Sequence, residues 1–183
     1  MRYVADRFVV ILDANVLFPF RKRDVLLRFS HAGLFRARWS GEILDEWTRN
    51  LLALKPHLED SIRAQQRAMQ DHFPEALVTG HEPLVSALDL PDPDDRHVLA
   101  AAIAGSADGI LTLNARDFPR GMLAEEGLWR ADPDGFVHGI WQAQPDLVAK
   151  VAQGVLAKAR RLSQGDWEMR PLLKKARLPR LAS

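Results

Sequence analysis

Apolar and polar positions alternate along this chain on two different periods. Strand-like runs at Phe8–Leu12, Phe35–Trp39, Ala76–Thr79 and Gly109–Leu113 have the length of buried strands. Between them, apolar residues recur at helical spacing near 24–33, 40–54, 58–73 and 93–105, and again over 132–142. Strands alternating with helices predict a mainly parallel sheet covered on both faces. After Pro145, the residues Leu147, Val148, Val151, Val155, Ala159 and Leu162 predict one more amphipathic helix, followed by a segment with two prolines and many bases. Pro56 and Pro74 punctuate the middle, and no repeat or low-complexity segment interrupts the pattern. The predicted organisation is a domain over 1–143 and a basic, partly helical extension over 144–183.

The end of the first run changes the picture. VVILDANVLF places Asp13 where a buried strand stops, and a carboxylate there is costly to desolvate without compensation. Open parallel sheets bind ligands beyond the carboxyl ends of their strands. Asp13 and Asn15 follow the first strand, and Thr112, Asn114 and Asp117 end or follow ILTL. In the helix after Ser40, a candidate N-cap, the apolar face is Ile43, Leu44, Trp47, Leu51 and Leu54; Glu46 lies at its edge, with Glu42 and Asp45 farther round. In DPDDRHVLAAAI, helical phase points Asp95 toward the buried side and Asp94 about 100° away, while Asp92 before Pro93 reads as a cap. Carboxylates converging on one sheet edge repel, and a hard cation such as Mg²⁺ or Mn²⁺ relieves that conflict through oxygen ligands.

Composition narrows the chemistry. The 183 residues contain no Cys, which excludes disulfides, thiolate metal sites and thiol nucleophiles; the six His residues form no paired zinc spacing and read as structural or surface groups. The apolar run at Phe8–Leu12 is too short for a signal peptide or a membrane span, so a cytoplasmic protein is expected. The formal net charge of +1 hides an asymmetry. Residues 1–145 hold 16 bases against 21 acids, and residues 146–183 hold 9 against 3. The basic end, with Arg160, Arg161, Arg170, Lys174, Lys175, Arg177 and Arg180, is expected either to contact phosphates or to be a docked segment whose Leu172, Leu173, Leu178 and Leu181 pack while its bases stay in solvent.

Four pieces in order, LDANVL, ILDEWTRNL, DPDDRHVLAAAI and ILTLNARDFP, resemble the PIN-domain ribonucleases, and among them the VapC-type toxins of bacterial toxin–antitoxin pairs. The resemblance covers about residues 8–143. It implies a three-layer α/β/α sandwich with an acidic pocket for one or two Mg²⁺ or Mn²⁺ ions, in which a metal-activated water hydrolyses RNA. Position by position, it implies Asp13, Glu46, Asp95 and Asp117 as catalytic metal ligands. Asn15, Asp92, Thr112 and Asn114 fall at supporting positions that orient carboxylates or water, and Asn114 competes with Asp117 for the fourth ligand place. The implied partners are RNA, a cognate antitoxin and a second copy of the chain, with no membrane. Two rivals are a PIN-like module that binds RNA or protein without cutting, and an aspartyl-nucleophile phosphatase. The phosphatase ordinarily has a second Asp two residues after the first, and Asn15 cannot exchange a proton in that role.

Overall fold

A computed structural model describes residues 8–183. The described residues form five strands: β1 Val9–Leu12, β2 Arg36–Ser40, β3 Leu77–Val78, β4 Gly109–Leu111 and β5 Trp129–Ala131. Ten α-helices accompany them: α1 Ala14–Leu17, α2 Phe20–His31, α3 Gly41–Leu54, α4 Glu59–His72, α5 Glu82–Val85, α6 Arg96–Ala104, α7 Arg120–Glu125, α8 Pro133–Ala143, α9 Pro145–Ser163 and α10 Met169–Lys175. The sheet order is β3-β2-β1-β4-β5, and every pairing is parallel. This is the α/β/α sandwich expected, with a helical extension.

β1 sits in the middle because it is apolar on both faces: Val10, Ile11 and Leu12 are fully buried. Val10 pairs with Ala37 on one side and Gly109 on the other. The chain moves outward from β1 to β2 and β3, then returns to β4 on the opposite flank, so the strand order reverses between β1 and β4. A crevice opens at the carboxyl ends of strands where such a reversal occurs. Gly109 is required in β4, since a Cβ there would lie 2.3 Å from the Trp129 ring. Trp129 itself stacks on Phe136 at 5.8 Å and meets Phe8 edge-on.

Helix starts follow their caps. Ser40 Oγ accepts from the Ile43 amide at 3.2 Å to open α3, and Asp132 accepts from the Gly135 amide at 2.9 Å to open α8, with Pro133 in the first turn. The stretch expected to be helical from 93 opens as a 3-10 turn, Pro93–Asp95, before α6. The strand at Trp129–Ala131, the short helices α1, α5 and α7, and helix α10 add to the expected elements, and α2 starts at Phe20 rather than near 24.

The extension is built into the same core. Val148, Val155, Leu172, Ala176 and Leu178 join the apolar cluster formed by the sheet and its helices. Helix α9 packs on α2 and α8, fastened by Lys158 Nζ to Asp24 Oδ1 at 2.7 Å. A groove of about 690 Å³ between α2, α4 and α9 is lined by Leu27, Met69, Phe73 and Val151; its carboxylate, Asp24, is engaged by Lys158 and Arg28. Among the described residues, no helix is long and apolar enough to cross a membrane.

Candidate metal centre

The carboxyl ends of β1 and β4 are tied together by side chains. Asp13 is 3% exposed, and its Oδ2 accepts from Thr112 Oγ1 and from Asn15 Nδ2, each at 2.7 Å. Asn15 Oδ1 in turn accepts from the Leu113 amide at 3.0 Å, and Thr112 Oγ1 accepts from the Asn114 amide at 2.9 Å. Asn114 Nδ2 donates to Asp117 Oδ2. Three neutral polar residues therefore fix the orientation of two carboxylates. The Asp13 pKa is raised, because burial outweighs the hydrogen bond from Thr112; nearby Glu46 adds to the rise.

Asp92, Asp95 and Asp117 form a tight acidic group, each offering a carboxylate oxygen within 4.8 Å of the others. Asp92 does two things at once. Its Oδ1 accepts from the Asp94 amide at 2.9 Å, as a cap should, while the residue also belongs to this group. Asp95 is half-buried, and its Oδ2 has no hydrogen-bond partner among the described residues. Burial, then Asp13, Asp92, Asp117 and Glu46, push its pKa up to about 7. Asp94 is exposed.

Asp13 and Glu46 stand on the wall of the same cleft, outside the tight group. The cleft has a volume of about 700 Å³; Asn15, Asp95 and Asn114 also line it. Glu42 and Asp45 face it as well, although helical phase had set them aside; Glu42 Oε1 is held by the buried His81 Nε2 at 2.8 Å. The expectation that every His lies away from the chemistry fails at His97. Its Nε2 lies 3.4 Å from Glu46 Oε2, and it lines the cleft. Its position two residues after Asp95 in the first turn of α6 was the available signal. Burial lowers the His97 pKa, but the carboxylates of Glu46, Glu42 and Asp13 outweigh it and leave the imidazole raised. Glu46→Gln is expected to lower the His97 pKa, since burial would then lose its main opposition. An NMR titration of the ring protons measures this, and an unchanged midpoint would dissolve the pair.

The donors facing this cleft are mostly carboxylate oxygens, which suit a hard divalent cation. Such a cation also resolves the two costs visible here, mutual repulsion and an unpartnered buried oxygen. Comparison with known proteins gives a match to the family model described as PIN domain over residues 9–116, a span that holds Asp13, Glu46, Asp92, Asp95 and Asn114 and stops one residue short of Asp117. No curated protein and no solved structure matches. With more than half of its length matched by that model, the chain belongs to the PIN-domain family.

Proposed function

We propose that the chain is a divalent-metal-dependent endoribonuclease, the toxin of a VapC-type toxin–antitoxin pair. The observation that carries the reading is the buried, unpartnered Asp95 Oδ2 within a group of three converging carboxylates. Asp95 and Asp117 would hold Mg²⁺ or Mn²⁺ with Asp13 and Glu46, and Asp92 is a further oxygen donor beside them. A bound ion of this kind supplies charge stabilisation at a phosphoryl oxygen and a nucleophilic water near neutral pH. The chain's own contribution is positional. Asn15 and Thr112 aim Asp13, Asn114 aims Asp117, and His97 neutralises Glu46 when protonated.

In this reading residues 1–143 carry the chemistry, residues 144–183 are the extension, and the partners are RNA, an antitoxin protein and a second copy of the chain. The toxin assignment rests on the four motifs in register. The test incubates purified protein with a mixed RNA pool in Mg²⁺ or in EDTA and maps new ends. New internal ends only in Mg²⁺ are expected. Cleavage insensitive to EDTA would remove the metal, and binding without cleavage would make the protein a binding module.

A further inference from the structure

The C-terminal segment docks onto elements that follow the carboxyl ends of β1 and β5. Because all strands are parallel, the ends of β1, β4 and β5 share one edge of the sheet. Asp132 and Asp134, just past β5, are held by the C-terminal segment: the Arg180 amide donates to both Asp134 oxygens at 3.1 Å, and Arg180 Nη1 lies 3.5 Å from Asp132 Oδ2. At the start of α2, which follows Asp13 closely in sequence, Arg21 stacks over Trp167 at 4.4 Å, and Lys175 approaches the same ring at 5.1 Å. The segment is therefore moored to the starts of α2 and α8, which follow the carboxyl ends of β1 and β5.

Its side chains divide cleanly. Leu172, Leu173, Ala176, Leu178 and Ala182 are buried, whereas Arg170, Lys174, Lys175, Arg177 and Arg180 are exposed. Arg170, Lys174 and Arg177 have no carboxylate within ion-pair distance among the described residues. Arg177 also has a backbone cost. It closes α10 with φ at 59°, its amide bonding to Lys174 O and that of Leu178 to Leu173 O, a helix end at which glycine is the usual residue. A strained position filled by an exposed, unpaired cation suggests a use for the side chain. The cations crowd as well: buried Lys22 has its pKa lowered first by burial and next by Arg177.

An RNA approaching a cleft lined by Glu42, Asp45, Glu46, Asp92, Asp94 and Asp95 meets repulsion that a bound ion offsets only in part. We propose that the exposed bases of the docked C-terminal segment, centred on Arg170, Lys174 and Arg177, form the surface that holds the RNA phosphate backbone alongside the acidic cleft. This inference rests on the nuclease reading for the identity of the polyanion. The two alternatives weighed from sequence, phosphate contact and docking, are then one arrangement, since docking the leucines is what presents the bases.

The experiment measures binding of a labelled single-stranded RNA in EDTA, where no cutting is expected, across a salt series, with the full-length chain and the triple variant Arg170→Gln, Lys174→Gln, Arg177→Gln. The variant is expected to bind about ten-fold or more weakly at low salt, with a slope of log K against log salt shallower by about 2 for three phosphate contacts. Unchanged affinity and slope, or no RNA binding by the wild type, overturns the proposal; an acidic protein would then be the partner of these bases. If the triple variant loses binding but the wild type cuts no RNA in Mg²⁺, the nuclease reading falls and the binding surface stands. Arg177→Gly separates a structural role from a binding one. A melting temperature at or above wild type with weaker RNA binding supports the proposal, and unchanged RNA binding removes Arg177 from the surface.

Discussion

Asp13→Asn is expected to lower Mg²⁺-dependent RNA cleavage by at least about 100-fold, equivalent to ~2.7 kcal/mol of transition-state stabilisation, while leaving the fold intact. Asparagine keeps the volume, so no cavity opens at a residue that is 3% exposed. Its amide oxygen can take over the acceptor role toward Thr112 and Asn15, so the tie between β1 and β4 survives. What is lost is negative charge on the wall of the cleft, where a divalent ion would be held. In EDTA the melting temperature should equal or exceed that of wild type, because burial works against the charged form of this carboxyl group. A variant that still cuts at the wild-type rate removes Asp13 from the site.

The adjacent pair Asp94 and Asp95 gives the sharper contrast. Asp95→Asn should abolish Mg²⁺-dependent cleavage, and Asp94→Asn should keep most of it, because only Asp95 belongs to the converging group and has a buried oxygen without a partner. Equal losses would break the assignment. A linked effect appears in stability. The Asp95 pKa is pushed up to about 7 in the folded chain from an ordinary 3.8, so between about pH 4 and 7 the folded state holds a proton that the unfolded state has released. Stability of the metal-free protein from this group is therefore present at low pH and lost as pH rises through 7. Asp95→Asn removes that loss. Its melting temperature in EDTA should gain on wild type as pH is raised from about 5 to 8, and Mg²⁺ should raise the wild type more than the variant. A pH-independent difference would mean that Asp95 is not the strained acid.

The contrast between those neighbours shows what could be read from residues alone. The central strand was legible because Phe8–Leu12 is a continuous β-branched run, and α3 because Ser40 caps a clean apolar stripe. β5 was not legible: Trp129, Arg130 and Ala131 are all half-buried at the sheet edge, so neither an apolar run nor an alternation marks them. Helix α10 was hidden by Pro171, which looks like a breaker but sits in the first turn, where no amide partner is lost. The candidate site followed the same logic. Strand ends drew attention to Asp13, Asn15, Asn114 and Asp117, whereas the pairing of His97 with Glu46 joins two helices that no local pattern connects.

The bond from Thr112 to Asp13 spans 99 residues of chain. During synthesis at ~5–20 residues per second, β1 leaves the ribosome several seconds before the strand that completes its carboxyl edge, and the basic segment follows later still. Until β4 docks, Asp13 has only Asn15 nearby to orient it, and Asp117 does not yet exist. An unfinished chain therefore carries half a cleft, and the acidic cluster forms only after most of the polypeptide has been made. On the proposed function, this order of assembly would leave the nascent chain without a complete cleft while it is being made.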